Sequence, residues 1–72
     1  MPKLSSLKAK EIEKILLENG FVIKRQTGSH KIFYNPKTQK TTVVPVHTKV
    51  IPRGTVQSII RQSDLQKEKF IK

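Results

Sequence analysis

The sequence predicts an α+β fold in the order α-β-β-β-α, a three-stranded antiparallel sheet with two helices packed on one face. Three observations carry that expectation. An apolar stripe recurs at helical spacing near the start, three short β-rich runs follow with turn residues between them, and a second helical stripe comes after a proline. There is no internal repeat and no low-complexity tract, so residues 1–72 are read as a single domain. A chain this short buries only about 60% of the surface it exposes when unfolded, which predicts a thin core.

The first element is KAKEIEKILLEN, where Ala9, Ile12, Ile15 and Leu16 line one face and lysines and glutamates cover the other. Ser5 and Ser6 are candidate caps before it, and Asn19-Gly20 supplies the left-handed terminator favoured just past a helix. FVIKRQ (21–26), HKIFYN (30–35) and KTTVVPV (40–46) are the strands, separated by turns at Thr27-Gly28-Ser29 and at 36–39. Links this short join antiparallel strands and leave no room for parallel crossovers. Pro45 marks the third run as an edge strand or its end. The second helix begins near Pro52 and buries Val56, Ile59 and Ile60, and Ser63-Asp64 breaks it. In the tail, LQKEKFIK offers either one more helical turn, with Leu65 and Phe70 packing back, or a frayed end.

Fifteen Lys and Arg against five Asp and Glu give a formal charge of +10. A surface of this kind attracts polyanions through long-range fields and counterion release, which makes nucleic acid the leading partner class. An anionic membrane fits less well, since the basic residues are scattered and form no strongly amphipathic cationic helix. The amino-terminal twenty residues hold no sustained apolar run, so neither a signal peptide nor a membrane span is expected. With no cysteine, a disulfide framework and a Cys-based zinc site are both excluded, and the cytoplasm is the default compartment.

No HExxH, no Gly-rich loop ending in Lys-Ser/Thr and no plausible triad occurs, and Glu11, Glu13, Glu18, Asp64 and Glu68 lie mostly on helices near the chain ends. No metal or other cofactor is expected. What stands out is TGSHKIF. Strand alternation puts His30 and Phe33 on opposite faces, and Phe33 is the better core residue, so His30 belongs on the open face or its rim. Ile32 and Tyr34 share the parity of His30, which gives that face an apolar portion on which a base could stack. Because Ile32 also favours burial, a bulge would reverse the assignment.

Gly28 lets main-chain N–H groups approach a ligand, and with Ser29, Lys24, Arg25 and Lys31 the loop has the donors to hold a phosphate; an ordinary Gly-containing hairpin is the competing reading. Histidine, with an ordinary pKa of about 6.5, can accept and return a proton near neutrality. In RNA cleavage that proton comes from the ribose 2′-OH, while Lys or Arg stabilises charge developing on phosphorus. A surface histidine that only contacts phosphate explains His30 equally well. His47, between the third strand and the second helix, is a possible accessory acid or a solvated loop residue, and Lys37, Lys40, Lys49 and Arg53 extend the cationic surface.

Taken in order, Asn19-Gly20-Phe21 after a helix, Gly28-Ser29-His30 with Phe33, Val44-Pro45-Val46-His47, and Gly54-Thr55-Val56 leading into Ile59-Ile60 resemble the HicA family of toxins from prokaryotic toxin–antitoxin pairs. The resemblance covers almost the whole chain. It implies a fold similar to double-stranded RNA-binding domains and a ribosome-independent mRNA interferase activity. It also implies that the histidine of the Gly-Ser-His motif, here His30, carries catalysis, with Gly28 and Ser29 as its supporting turn. The implied partners are mRNA and a HicB antitoxin that covers the site, with a monomeric free toxin and a larger hetero-oligomer in the complex. One departure falls at the first helix, where Lys8-Ala9-Lys10-Glu11 replaces the family's frequent Ser-Gly-Lys-Glu start and gives up a side-chain cap worth about 1 kcal/mol. Two rival readings remain: a noncatalytic double-stranded-RNA-binding module, and a protein-interaction subunit whose cationic surface serves only an acidic partner.

Overall fold

A computed structural model describes residues 7–46 and 50–70. The elements are α1 (Ala9–Glu18), β1 (Val22–Thr27), β2 (His30–Asn35), β3 (Lys40–Pro45) and α2 (Arg53–Ser63), followed by a short 3₁₀ turn at Lys67–Phe70. The expected α-β-β-β-α order is therefore the order found. All three strands pair antiparallel in the spatial order β1-β2-β3.

Local chemistry explains where each helix starts and stops. The first residue before α1 is Lys8, whose side chain has no acceptor to offer; the half of a capping box that survives runs the other way, with the Lys8 backbone N–H donating to Glu11 Oε1 at 2.9 Å. Ser5 and Ser6, considered as caps, lie outside the described residues. At the far end Phe21 N–H donates to Leu16 O at 3.0 Å and Gly20 N–H to Leu17 O at 3.5 Å, the two bonds of a Schellman motif, with Gly20 at φ +94°. Phe21 is thus the residue that closes this cap and enters the core rather than the first residue of β1. α2 starts after Pro52, which needs no N–H there, and ends at Asp64 in the left-handed conformation.

Both helices cover the same side of the sheet. Cross-strand partners share a face, so the register Lys31↔Val44 and Phe33↔Thr42 defines one side. Glu13 of α1 bonds to Lys31 there, and Gln62 of α2 accepts a hydrogen bond from the Thr42 hydroxyl at 2.9 Å. The buried apolar cluster joins Ile12 and Leu16 to Phe33, Val44, Val56 and Ile59, while Ile15 and Ile60 pack half-buried at its margin. Leu7 and Ile51 complete it, drawn together by an Ile51 N–H to Leu7 O bond of 2.9 Å and an isolated bridge between Lys8 and Val50. The described part of the tail, up to residue 70, packs back: Phe70 is fully buried.

The cover is incomplete in one direction. Every residue of β1 is exposed, including Ile23, which pairs with the fully buried Phe33 yet stays 47% exposed. β1 therefore projects beyond the helices as a strand open on both faces. Asn35 ties the opposite end of β2 in place. Its Nδ2 donates to Asn19 O at 3.3 Å, and its Oδ1 accepts from Lys37 N–H at 2.9 Å, joining the 36–39 turn to the end of α1.

Candidate functional site

The uncovered side of the sheet is built from three cross-strand rows. Thr27, His30 and Pro45 form the first, Arg25, Ile32 and Val43 the second, and Val22, Tyr34 and Thr41 the third. β2 alternates without interruption, so Phe33 faces the helices and His30 faces out, as its parity requires. A bulge does occur, but in β1, where the register shifts between Ile23 and Arg25. The extra residue puts the consecutive cations Lys24 and Arg25 on the same outer face: Arg25 lies opposite Ile32, and Lys24 Nζ sits 5.2 Å from the centre of the Tyr34 ring.

His30 opens β2 directly after the two-residue loop Gly28-Ser29. Gly28 has φ +56°, and Ser29 is not among the positive-φ residues, which fits a type II′ hairpin turn with glycine in its first central place. Ser29 O accepts a hydrogen bond from Val46 N–H at 2.7 Å, so the turn is anchored to the chain just past β3. The imidazole is solvent-exposed and has no hydrogen-bond partner among the described residues. Thr27 stands opposite it, and Arg25, two residues back along β1, is its diagonal neighbour at about 7–8 Å, within reach of a long side chain. Proton transfer needs a free imidazole and anion binding needs cations beside it; this corner offers both.

The remaining expected site residues are placed as follows. Lys31 belongs to the opposite face, because alternation groups it with Phe33 and Asn35; its Nζ is 2.8 Å from Glu13 Oε1 in an ion pair whose side chains are 25% and 15% exposed. It is thus separated from His30 by the thickness of the sheet. Arg53 is the exposed first residue of α2. Lys37 lies within the 36–39 turn and Lys40 follows it as the first residue of β3, both at the end of β2 farthest from His30, about 17 Å away along the strand. His47 and Lys49 lie outside the described residues. Two features had no signal in the residue pattern: the bulge, since VIKRQT contains no glycine to mark it, and Glu13 as the partner of Lys31.

Among the described residues no three His, Cys, Asp or Glu side chains cluster as metal ligands would. Among the same residues no helix is long and apolar enough to cross a membrane. A comparison with curated proteins finds no match. The family model of the HicA toxin of bacterial toxin-antitoxin systems matches residues 9–65. That span runs from the first residue of α1 to just past α2 and contains the Gly-Ser-His turn and the three outer rows. The chain accordingly belongs to the HicA toxin family.

Proposed function

We propose that this toxin is an endoribonuclease that cuts mRNA on the uncovered face of its sheet, with His30 as the proton-transfer residue. The observation that carries the reading is the free, exposed imidazole at the rim of that face, with Arg25 diagonal to it and Lys24 on the same side. The net charge of +10 supplies the attraction for a polyanion.

In the proposed step the substrate lies with a phosphodiester beside His30. The imidazole takes the proton of the adjacent 2′-OH; the 2′-oxygen bonds to phosphorus, and the bond from phosphorus to the 5′-oxygen breaks. The leaving 5′-oxygen takes a proton from water or from a second acid, and the RNA is left with a 2′,3′-cyclic phosphate. Arg25 offsets the negative charge that builds on the phosphoryl oxygens. The Gly28-Ser29 turn holds His30 at the rim and leaves a side-chain-free approach for the backbone of the RNA. This chemistry calls on no metal.

Family membership gives the toxin an antitoxin partner. We propose a HicB protein that neutralises it by covering this face, with surface charge complementary to Lys24 and Arg25, and action on mRNA in the cytoplasm. Purified protein incubated with single-stranded RNA in EDTA should cleave it. His30→Ala should keep the fold and the RNA affinity while losing cleavage by about 100-fold or more, as expected for removal of a general base. Cleavage by the variant at the wild-type rate would remove His30 from the mechanism. Duplex binding without any product would make the domain a noncatalytic double-stranded-RNA reader.

A further inference from the structure

The third row of the outer face, Val22, Tyr34 and Thr41, is not used by the cleavage step. Tyr34 is half-exposed, stands between an exposed Val22 and an exposed Thr41, and has no hydrogen bond to its hydroxyl among the described residues. Lys24, on the outer side with Val22, lies over this ring, and the bulge in β1 adds Arg25 to the same side. The ring is four residues along β2 from His30, about 13 Å at the ordinary strand rise. That is too far for the nucleotide being cut and within reach of one a few steps along the same strand. Between the two lies the apolar row of Ile32 and Val43, the latter 41% exposed.

We infer that Tyr34 is a stacking platform for an unpaired base of the bound RNA, with Lys24 as a cation that moves from the ring to the phosphate beside that base. The inference rests on the cleavage reading and adds to it a requirement for single-stranded substrate on one side of the scissile bond. Relative magnitudes favour the exchange. A cation over an exposed ring strengthens its contact by about two- to five-fold, whereas a base stacked on an aromatic side chain contributes about 5- to 150-fold in affinity. The base therefore displaces the ammonium, which then has a phosphate to meet. A nucleic-acid occupant is favoured over a protein because the cations that border this row, Lys24 and Arg25, share its face and carry no described carboxylate partner there.

The test uses a feature of the composition: Tyr34 is the only tyrosine and there is no tryptophan, so intrinsic tyrosine fluorescence reports this ring alone. The probe is a short mixed-sequence single strand with 2′-O-methyl ribose, which lacks the nucleophile, and an abasic strand of the same length and charge is its control. The base-bearing strand should quench Tyr34 and the abasic strand should not. By anisotropy of a labelled strand, Tyr34→Ala should bind the base-bearing strand about 5- to 150-fold more weakly, Tyr34→Phe within about two-fold of wild type, and both should bind the abasic strand like wild type. With cleavable RNA, Tyr34→Ala should raise KM and leave kcat close to wild type. Equal quenching by both strands, or wild-type affinity of Tyr34→Ala, overturns the platform, as does failure of both strands to bind, the outcome expected of a protein-docking face. Cleavage without base-dependent quenching overturns the platform and leaves the nuclease standing. Base-dependent quenching in a protein that never cuts RNA supports the platform and overturns the nuclease.

Discussion

Two glycines of this chain make opposite predictions for the same substitution. A Cβ built on Gly28 meets nothing within 4 Å, and one built on Gly54 also meets nothing within 4 Å. Steric crowding therefore drops out of the comparison, and only the backbone differs. Gly28 sits at φ +56°, where an L side chain crowds its own backbone and costs about 1–2 kcal/mol. Gly54 is in the first turn of α2 with no positive φ, where alanine restricts the unfolded chain more than the folded one and stabilises by about 0.5 kcal/mol. For a domain of this size each kcal/mol moves the midpoint by about 4–8 °C. Gly28→Ala should thus melt roughly 4–16 °C below wild type, and Gly54→Ala about 2–4 °C above it. Thermal unfolding followed by circular dichroism, with urea titration to check that the m-value is unchanged, separates the two. A Gly28→Ala midpoint at or above that of wild type would refute the assignment of a glycine-dependent turn beneath His30, and a shift of both variants in one direction would show that backbone conformation is not the controlling variable.

Phe70 lies beyond the family match, which ends at residue 65, yet it is fully buried in the core. Phe70→Ala should cost about 3–5 kcal/mol, a large part of the roughly 4–11 kcal/mol available to a domain of this length, and lower the melting midpoint by at least about 12 °C; a midpoint within a few degrees of wild type would mean that the tail contributes no core. For the outer face, Lys24→Ala and Arg25→Ala should each flatten the dependence of log Kd on log salt by about 0.7 with non-cleavable single-stranded RNA. Lys31→Met should leave that slope unchanged, since Lys31 is on the helix side and committed to Glu13; a comparable flattening would put Lys31 in the RNA site.

Much of the fold was legible because the signals are local. The α1 stripe and its Asn19-Gly20 end, the Gly28-Ser29 hairpin and the placement of His30 opposite Phe33 all follow from the 3.6- and 2-residue periods of the backbone. Where the reading slipped, a neighbour in space was responsible. Phe21 has strand propensity but is taken by the helix cap, because its N–H closes the Schellman bond to Leu16 O and its side chain joins the same buried cluster as Leu16. Lys31 looks like a loop cation in the sequence, and only the approach of Glu13, eighteen residues earlier, assigns it elsewhere.

By itself, then, the sequence determined the order of elements, the sign of the surface, the motif that identifies the family and the side of the strand from which His30 points. Spacing along one strand or helix, and charge, need no partner to be read. The tertiary structure decided that β1 projects past the helices, that its bulge sets Lys24 and Arg25 side by side on the outer face, that Leu7, Ile51 and Phe70 finish the core, and that Arg25 rather than Lys31 stands beside His30. Each of these depends on which residues meet after distant segments close on one another, a choice made by burial and pairing across the whole chain and invisible to any local window.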